Sequence, residues 1–219
     1  MTLLPTMKQR LAMPSDLIDL SKAGLSGISV AGNVVSIGAM TTHDTVANSK
    51  EVASAIPALA KLASGIGDPA VRNRGTIGGS IANNDPAADY PAAVLGLGAT
   101  IVTNKRSIAG DDFFTGMFDT ALEDGEVITR VDFQVPETAS YIKFPNPASR
   151  YAIVGVFVAK TAGGVRVAVT GASPCVFRAS EMEAALTANF SAGAIENSTV
   201  SANGLNADIH ASAEYRAHL

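Results

Sequence analysis

The stretch "RNRGTIGGSIANNDPAADYPA", residues 72–92, sets two adjacent glycines, Gly78 and Gly79, between a short apolar step and an Asn-Asn-Asp-Pro turn. Adjacent glycines permit positive φ and remove the Cβ atoms that would hold a bulky anion away from the backbone amides. A Thr-Ile-Gly-Gly-Ser turn can therefore point successive N–H groups, with the hydroxyls of Thr76 and Ser80, into an anion-binding concavity. A tight turn without a ligand satisfies the same pattern. The glycines do not follow the strand-GxGxxG-helix arrangement of a Rossmann fingerprint, so nicotinamide binding of that kind is not indicated.

The rest of the chain narrows the choices. Its 219 residues, 47% hydrophobic, suffice for one large domain or two modest ones. The opening residues lack the segment order of a signal peptide, and no apolar run reaches about 18 residues. A cytoplasmic protein, at most peripheral to a membrane, is expected. The net charge of -4, with Lys and Arg scattered, gives no general attraction for nucleic acid. A single cysteine, Cys175, excludes an internal disulfide and any iron–sulfur cluster held by this chain alone, and reads as a small hydrophobe. His43, His210 and His218 show no metal-ligand spacing. Any redox chemistry must use a bound organic cofactor or a partner's metal.

Residues 27–39, alternating around Gly32-Asn33, predict a β-hairpin. Thr41 and Asp44 form a capping-box pattern, and residues 42 to 66, interrupted by Pro57, predict two helices or one broken helix. A short helix over "DYPAAVLGLGA" and strands over "ATIVTN" and "EVITRVDFQV" follow, the two strands separated by a loop-and-turn segment. Beyond Pro136, "ASYIKF" predicts a strand, "PNPASR" a loop, and "YAIVGVFVAK-TAGG-VRVAVTGA" a long hairpin. The remainder, from Ser180 with capping partner Glu183, is expected to be mostly helical. Two α+β modules result, with a boundary near residues 136 to 142.

The glycine stretch, extended as "RNRGTIGGSIANNDPAADYPAAVLGLGATI", resembles the signature of the FAD-binding subunit of molybdenum hydroxylases, the carbon monoxide dehydrogenase and xanthine dehydrogenase family. The segments "LLPTMKQRLAMPSDLIDLSKAGL", "GAMTTHDTVANS", "VTNKRSIAGDDFF" and "ADIHASAEYRAHL" extend the resemblance over nearly the whole chain. It implies an α+β fold: a two-lobed FAD-binding domain at 1–137, then a C-terminal α+β domain at 138–219 with a three-stranded antiparallel sheet and helices. It further implies a pyrophosphate loop at Thr76, Ile77, Gly78, Gly79 and Ser80, and a cofactor-contacting acid at Asp89. Ile66, Ile128 and Lys143 match cofactor-lining positions, and Tyr151 matches an aromatic beside the isoalloxazine. By themselves these residues read as a helix N-cap (Asp89), core residues (Ile66, Ile128), an exposed strand lysine (Lys143) and a packing tyrosine (Tyr151).

The family pattern has a further strand, helix and glycine loop ahead of this sequence. Thr2 aligns with the last residue of that loop, so the first lobe is expected to be truncated, and the final helix is expected to stop short at Leu219. The implied role is an electron-transfer subunit carrying FAD. Partners would be a large subunit with the molybdenum cofactor and a small subunit with two 2Fe–2S clusters, assembled as a heterohexamer with two copies of each chain. The acceptor would be a quinone, oxygen or another molecule, and no catalytic acid or base is expected here. A flavin-poor assembly subunit is the alternative.

Overall fold

The computed structural model describes residues 2–219; Met1, where the first expected domain begins, lies outside them. After helix α1 (Leu3–Lys8) comes the expected hairpin, β1 (Ile28–Ala31) and β2 (Val34–Gly38), turning at Gly32 with φ +58°. Val35 and Ile37 alternate inward and are fully buried.

Residues 43–64 form three helices: α2 (His43–Asn48), α3 (Lys50–Ala55) and α4 (Pro57–Ser64). The expectation of two helices or one broken helix missed the break at Ser49. Its side chain accepts from the Val52 N–H and caps α3, while Pro57 opens α4, where no N–H is needed. The cap of α2 also differs from expectation: Thr42 accepts from the Thr45 N–H, whereas Thr41 is buried and bonded to the backbone of Gly27.

The glycine stretch contains α5 (Pro69–Arg72), α6 (Ile77–Asn83) and α7 (Tyr90–Gly96). Then follow β3 (Thr100–Thr103), β4 (Ser107–Ala109), α8 (Gly110–Phe113), β5 (Phe114–Gly116), β6 (Asp119–Thr120) and β7 (Ile128–Gln134). The segment expected to be loop, 109–125, thus contains the end of β4, a single helical turn and a two-stranded ribbon. Elements this short carry too little periodicity to register in a sequence. An antiparallel sheet in the order β1-β2-β7-β3-β4 places β7 at its centre.

The second sheet runs β11-β10-β9-β8, from β8 (Thr138–Pro145), β9 (Ala152–Thr161), β10 (Gly164–Thr170) and β11 (Phe177–Arg178). Its three long strands match expectation, and the two-residue β11 is a fourth. Helix α9 (Ser180–Ala188) packs on it, but Ser180 and Glu183 form no capping box. Glu183 instead accepts from the Val167 N–H at 2.8 Å and from Arg178, tying α9 to β10 and β11. The remainder is less helical than expected: a 3-10 turn at Ala192–Ile195, irregular chain, and α10 (Ala213–His218). Asn, Gly and Asp at 203–208 compete for local backbone bonds and hold this stretch out of a helix.

Every residue of α7 is buried, and the helix packs against α4, α6, β9 and β10. Its Gly96 admits Phe157, whose ring would lie 2.6 Å from a Cβ there. One core cluster therefore takes residues from both sides of position 137, including Leu59, Val94, Val131, Tyr141 and Phe157. Cys175 is partly buried against it, as a small hydrophobe would be. No helix among the described residues is long and apolar enough to cross a membrane.

Helix α10 is fastened by Arg216, 5% exposed. Its guanidinium donates to the carbonyls of Ile153 (2.7 Å) and Gly171 (3.0 Å) and to Asp208 (2.7 Å). Removing it strands two carbonyls in the interior. Arg216→Met is expected to lower stability by about 2–4 kcal/mol in equilibrium denaturation.

Candidate functional site

The Thr76–Ser80 turn opens α6 and is stitched to the segment after β2. The Gly78 N–H donates to the Ala39 carbonyl (2.9 Å), Ile77 N–H to Thr41 (3.1 Å), and His43 N–H to Gly75 (2.9 Å). Thr42 and Thr76 form an antiparallel bridge between these bonds. The Gly79 N–H donates to the Thr76 hydroxyl oxygen at 3.2 Å, and the Ser80 N–H to the Thr76 carbonyl at 2.9 Å.

This corrects the expectation that successive amides of the turn face a ligand. Those of Ile77 and Gly78 hold the loop to its scaffold, and those of Gly79 and Ser80 close the helix. A Cβ on Gly78 would lie 2.6 Å from that of Ala39, so this glycine permits close packing. Gly79 is exposed, and a Cβ there would lie 2.9 Å from the Thr76 hydroxyl oxygen that its own N–H bonds, so the missing side chain leaves room for that cap. Ser80 is partly exposed, and its hydroxyl bonds to no described residue. The face available to an anion is Gly79 with the hydroxyls of Thr76 and Ser80.

Asp89 stands where an N-cap of α7 would, yet its side chain makes no capping bond. It is 5% exposed and accepts from the Tyr141 hydroxyl and from Lys143 Nζ, at 3.1 Å to one carboxylate oxygen and 3.2 Å to the other. Burial pushes the Asp89 carboxyl above the usual carboxylate range, while Lys143 and Tyr141 pull it down. Lys143 is not an exposed strand lysine: 11% of its side chain is accessible, and Nζ also donates to the Gly65 carbonyl at 2.8 Å. The next residue, Ile66, is partly buried. Ile66, Asp89 and Lys143 are thus brought together, with Tyr141 two residues from Lys143 on the same face of β8. Tyr141 was missed in the sequence, where that i, i+2 spacing was the available signal.

Tyr151, half exposed just ahead of β9, lines the same cleft as Asp85, in the turn that leads to Asp89, and burial together with those two carboxylates pushes its phenol upward. Ile128 is different: it opens β7, is 5% exposed and packs in the main core, as an ordinary core residue would. Thr2 is exposed, and its carbonyl accepts from the N–H and hydroxyl of Thr6. The described contacts do not tie Ile128 or Thr2 to the cluster.

Behind the loop, the rings of His43 and Tyr90 lie 5.3 Å apart, both buried, and neither His43 Nδ1 nor the Tyr90 hydroxyl has a partner among the described residues. A Cβ on Gly75 would fall 2.5 Å from His43 Nε2, so the imidazole is wedged against the loop. Nothing in the sequence except the nearby glycine hinted at this contact.

Residues 1–137 match the family described as the FAD binding domain in molybdopterin dehydrogenase. The chain belongs to that family, and so is an oxidoreductase component with FAD as its cofactor. It is similar to the nicotine 6-hydroxylase medium subunit of Paenarthrobacter nicotinovorans, with 36% identity over 98% of this chain and 81% of that one. It is 38% identical to the carbon monoxide dehydrogenase medium chain of Hydrogenophaga pseudoflava, over 81% of this chain and 66% of that one. The solved carbon monoxide dehydrogenase from H. pseudoflava superposes with a TM-score of 0.88 at 34% identity, covering 99% of this chain and 82% of that one. Quinoline 2-oxidoreductase from Pseudomonas putida 86 also gives 0.88, at 32% identity, over 100% of this chain and 82% of that one.

Two outcomes follow from the loop. Gly78→Ala should lose about 1–3 kcal/mol in thermal or denaturant unfolding through overpacking on Ala39, while Gly79→Ala should lose less, because its Cβ would meet only the Thr76 hydroxyl oxygen, at 2.9 Å. Burial lowers the pKa of His43 from 6.5 to about 4. Between those values the unfolded chain binds more protons, so the stability contribution is complete above pH 6.5 and is lost as pH falls towards 4. The full difference amounts to about 3 kcal/mol, and denaturation midpoints across this window should lose that slope in His43→Leu.

Proposed function

We propose that this chain is the flavin-bearing electron-transfer subunit of a molybdenum hydroxylase-type complex. The observation that carries the reading is the buried Asp89–Lys143–Tyr141 cluster. Burying a carboxylate and an ammonium costs several kcal/mol even when they are paired, so such a cluster points to a role beyond stability. The site chemistry fits FAD: an exposed glycine flanked by two hydroxyls for the pyrophosphate, and a carboxylate with a lysine for polyol and ring polar atoms.

When bound, FAD supplies the electron-carrying chemistry, and the protein supplies position and electrostatics. Thr76, Gly79 and Ser80 hold the pyrophosphate, with Ile77 and Gly78 fixing the loop from behind. Asp89 accepts hydrogen bonds from the cofactor, and Lys143 offers a positive charge that favours added electron density. Ile66 and Tyr151 supply apolar and aromatic surface to the flavin ring, and the family pattern adds Ile128 and Thr2 to the cofactor's surroundings.

On the same reading, 1–137 is the FAD-binding unit and 138–219 the C-terminal unit. The partners are a large subunit that oxidises substrate at its molybdenum cofactor and a small subunit that relays electrons through 2Fe–2S clusters. The complex is a cytoplasmic heterohexamer with two copies of each chain, delivering electrons to a quinone, oxygen or another acceptor. The engaged amides of Ile77 and Gly78 favour a second reading, a flavin-poor assembly subunit.

The visible absorption spectrum of the purified complex, with released flavin identified after denaturation, separates these readings. Stoichiometric FAD supports electron transfer, and its absence with partners still bound supports assembly. Ser80→Tyr should cut flavin content at least about tenfold by blocking the pyrophosphate face, with the flavin-free variant unfolding at the temperature of the flavin-free parent. Undiminished FAD in that variant would refute the loop assignment.

A further inference from the structure

Tyr141 on β8 is 5% exposed, and among the described residues its hydroxyl bonds only the carboxylate of Asp89. A buried phenol costs free energy unless its hydroxyl is bonded, and a phenylalanine would pack the same ring against Phe157, 6.1 Å away between centroids. The neighbouring strands make room for the hydroxyl. Gly155 on β9 pairs with Lys143 on one side and Thr170 on the other, and a Cβ on it would collide with the Tyr141 hydroxyl.

The turn ahead of Asp89 is held by other bonds. Thr170, 1% exposed, donates its hydroxyl to the carbonyls of Ala88 (2.6 Å) and Pro86 (3.2 Å), and the Gly171 N–H donates to Pro86 at 2.9 Å. The backbone leading to Asp89 is thus anchored from β10 without Tyr141, whose bond acts on the carboxylate itself. Each carboxylate oxygen accepts about two hydrogen bonds. Oδ1 takes the Tyr141 hydroxyl and lies 3.1 Å from Lys143 Nζ, whereas Oδ2 takes Lys143 at 3.2 Å and no other donor among the described residues. One acceptor position on Oδ2 is left for a ligand.

The ionisable groups around Asp89 are Lys143 and Tyr141 on β8, Tyr151 ahead of β9, Tyr90 next to it on α7 and Asp85 earlier in its turn, with His43 behind Tyr90. Burial and nearby carboxylate charge push the three phenols upward, so they stay neutral. Burial pushes Asp89 upward as well, and Lys143 and Tyr141 hold it down. Without the Tyr141 hydroxyl the carboxyl keeps its proton to higher pH and presents a donor where an acceptor is required.

We propose that Tyr141 is a positioning residue of the flavin site, its hydroxyl fixing Asp89 as a hydrogen-bond acceptor for the cofactor. The inference rests on the reading of this chain as a flavin subunit, and adds to it the group that sets the charge of the acid.

The test is the FAD dissociation constant of the purified complex, followed by flavin fluorescence across a pH series, for the parent and Tyr141→Phe. Binding weakens as falling pH protonates Asp89. In Tyr141→Phe that fall should begin about one pH unit higher, with affinity about tenfold lower between the two midpoints. Weakening by the same factor at every pH, or unchanged binding, would show that the hydroxyl serves packing alone and overturn the proposal. A second readout needs no flavin. In the flavin-free full chain, the infrared band of protonated carboxylic acid should be stronger in Tyr141→Phe than in the parent between those midpoints, and the excess should vanish when Asp89→Asn is added. A parent complex without FAD overturns the flavin reading instead, and the infrared band then decides on Tyr141 by itself: the excess supports its hold on Asp89, and no excess overturns it.

Discussion

The contact on which the site depends is the buried link from Asp89 to Tyr141 and Lys143. It joins the first residue ahead of α7 to the edge strand of the second sheet, and Lys143 continues it to the carbonyl after α4. Three segments far apart in sequence are thereby held at one point. The desolvation of Asp89 opposes this arrangement, and the tyrosine hydroxyl and ammonium offset it. Helix α7 makes the geometry possible. With alanines and Gly96 facing its neighbours, it lets the second sheet approach closely enough for Phe157 to fill the space a side chain would have taken.

The two glycines of the loop serve different ends. Gly78 lets α6 rest on Ala39, which fixes the loop, and Gly79 leaves room for the Thr76 hydroxyl that caps the helix while staying exposed itself. Rigidity behind and access in front suit a site that must hold a charged group without reorganising. The scaffold for this is the Ala39–His43 segment, whose bonds to Gly75, Ile77 and Gly78 resemble a short antiparallel strand pair. In the sequence the same segment showed only a helix-capping pattern, and even that was shifted by one residue, to Thr42.

Much of the fold was legible from local pattern. The hairpin around Gly32, the strands Thr100–Thr103 and Ile128–Gln134, and the long β9–β10 hairpin all follow from alternation and turn residues. The break at Ser49, the strand β4, the ribbon β5–β6 and the irregular stretch before α10 did not, because each is short or stabilised by distant partners. The candidate site divides in the same way. The glycine loop announced itself by composition, whereas Tyr141 and His43 matter through neighbours 30 or more residues away, as Tyr141 does through its bond to Asp89 52 positions distant.

By itself the sequence determined the longer elements and the family signature, since period, turn chemistry and motif spacing are properties of neighbouring residues. Only the tertiary structure decided which chemical state each site residue occupies. Lys143 becomes buried and paired and Asp89 gives up capping, because packing brings desolvation and counter-charge from segments the sequence keeps apart.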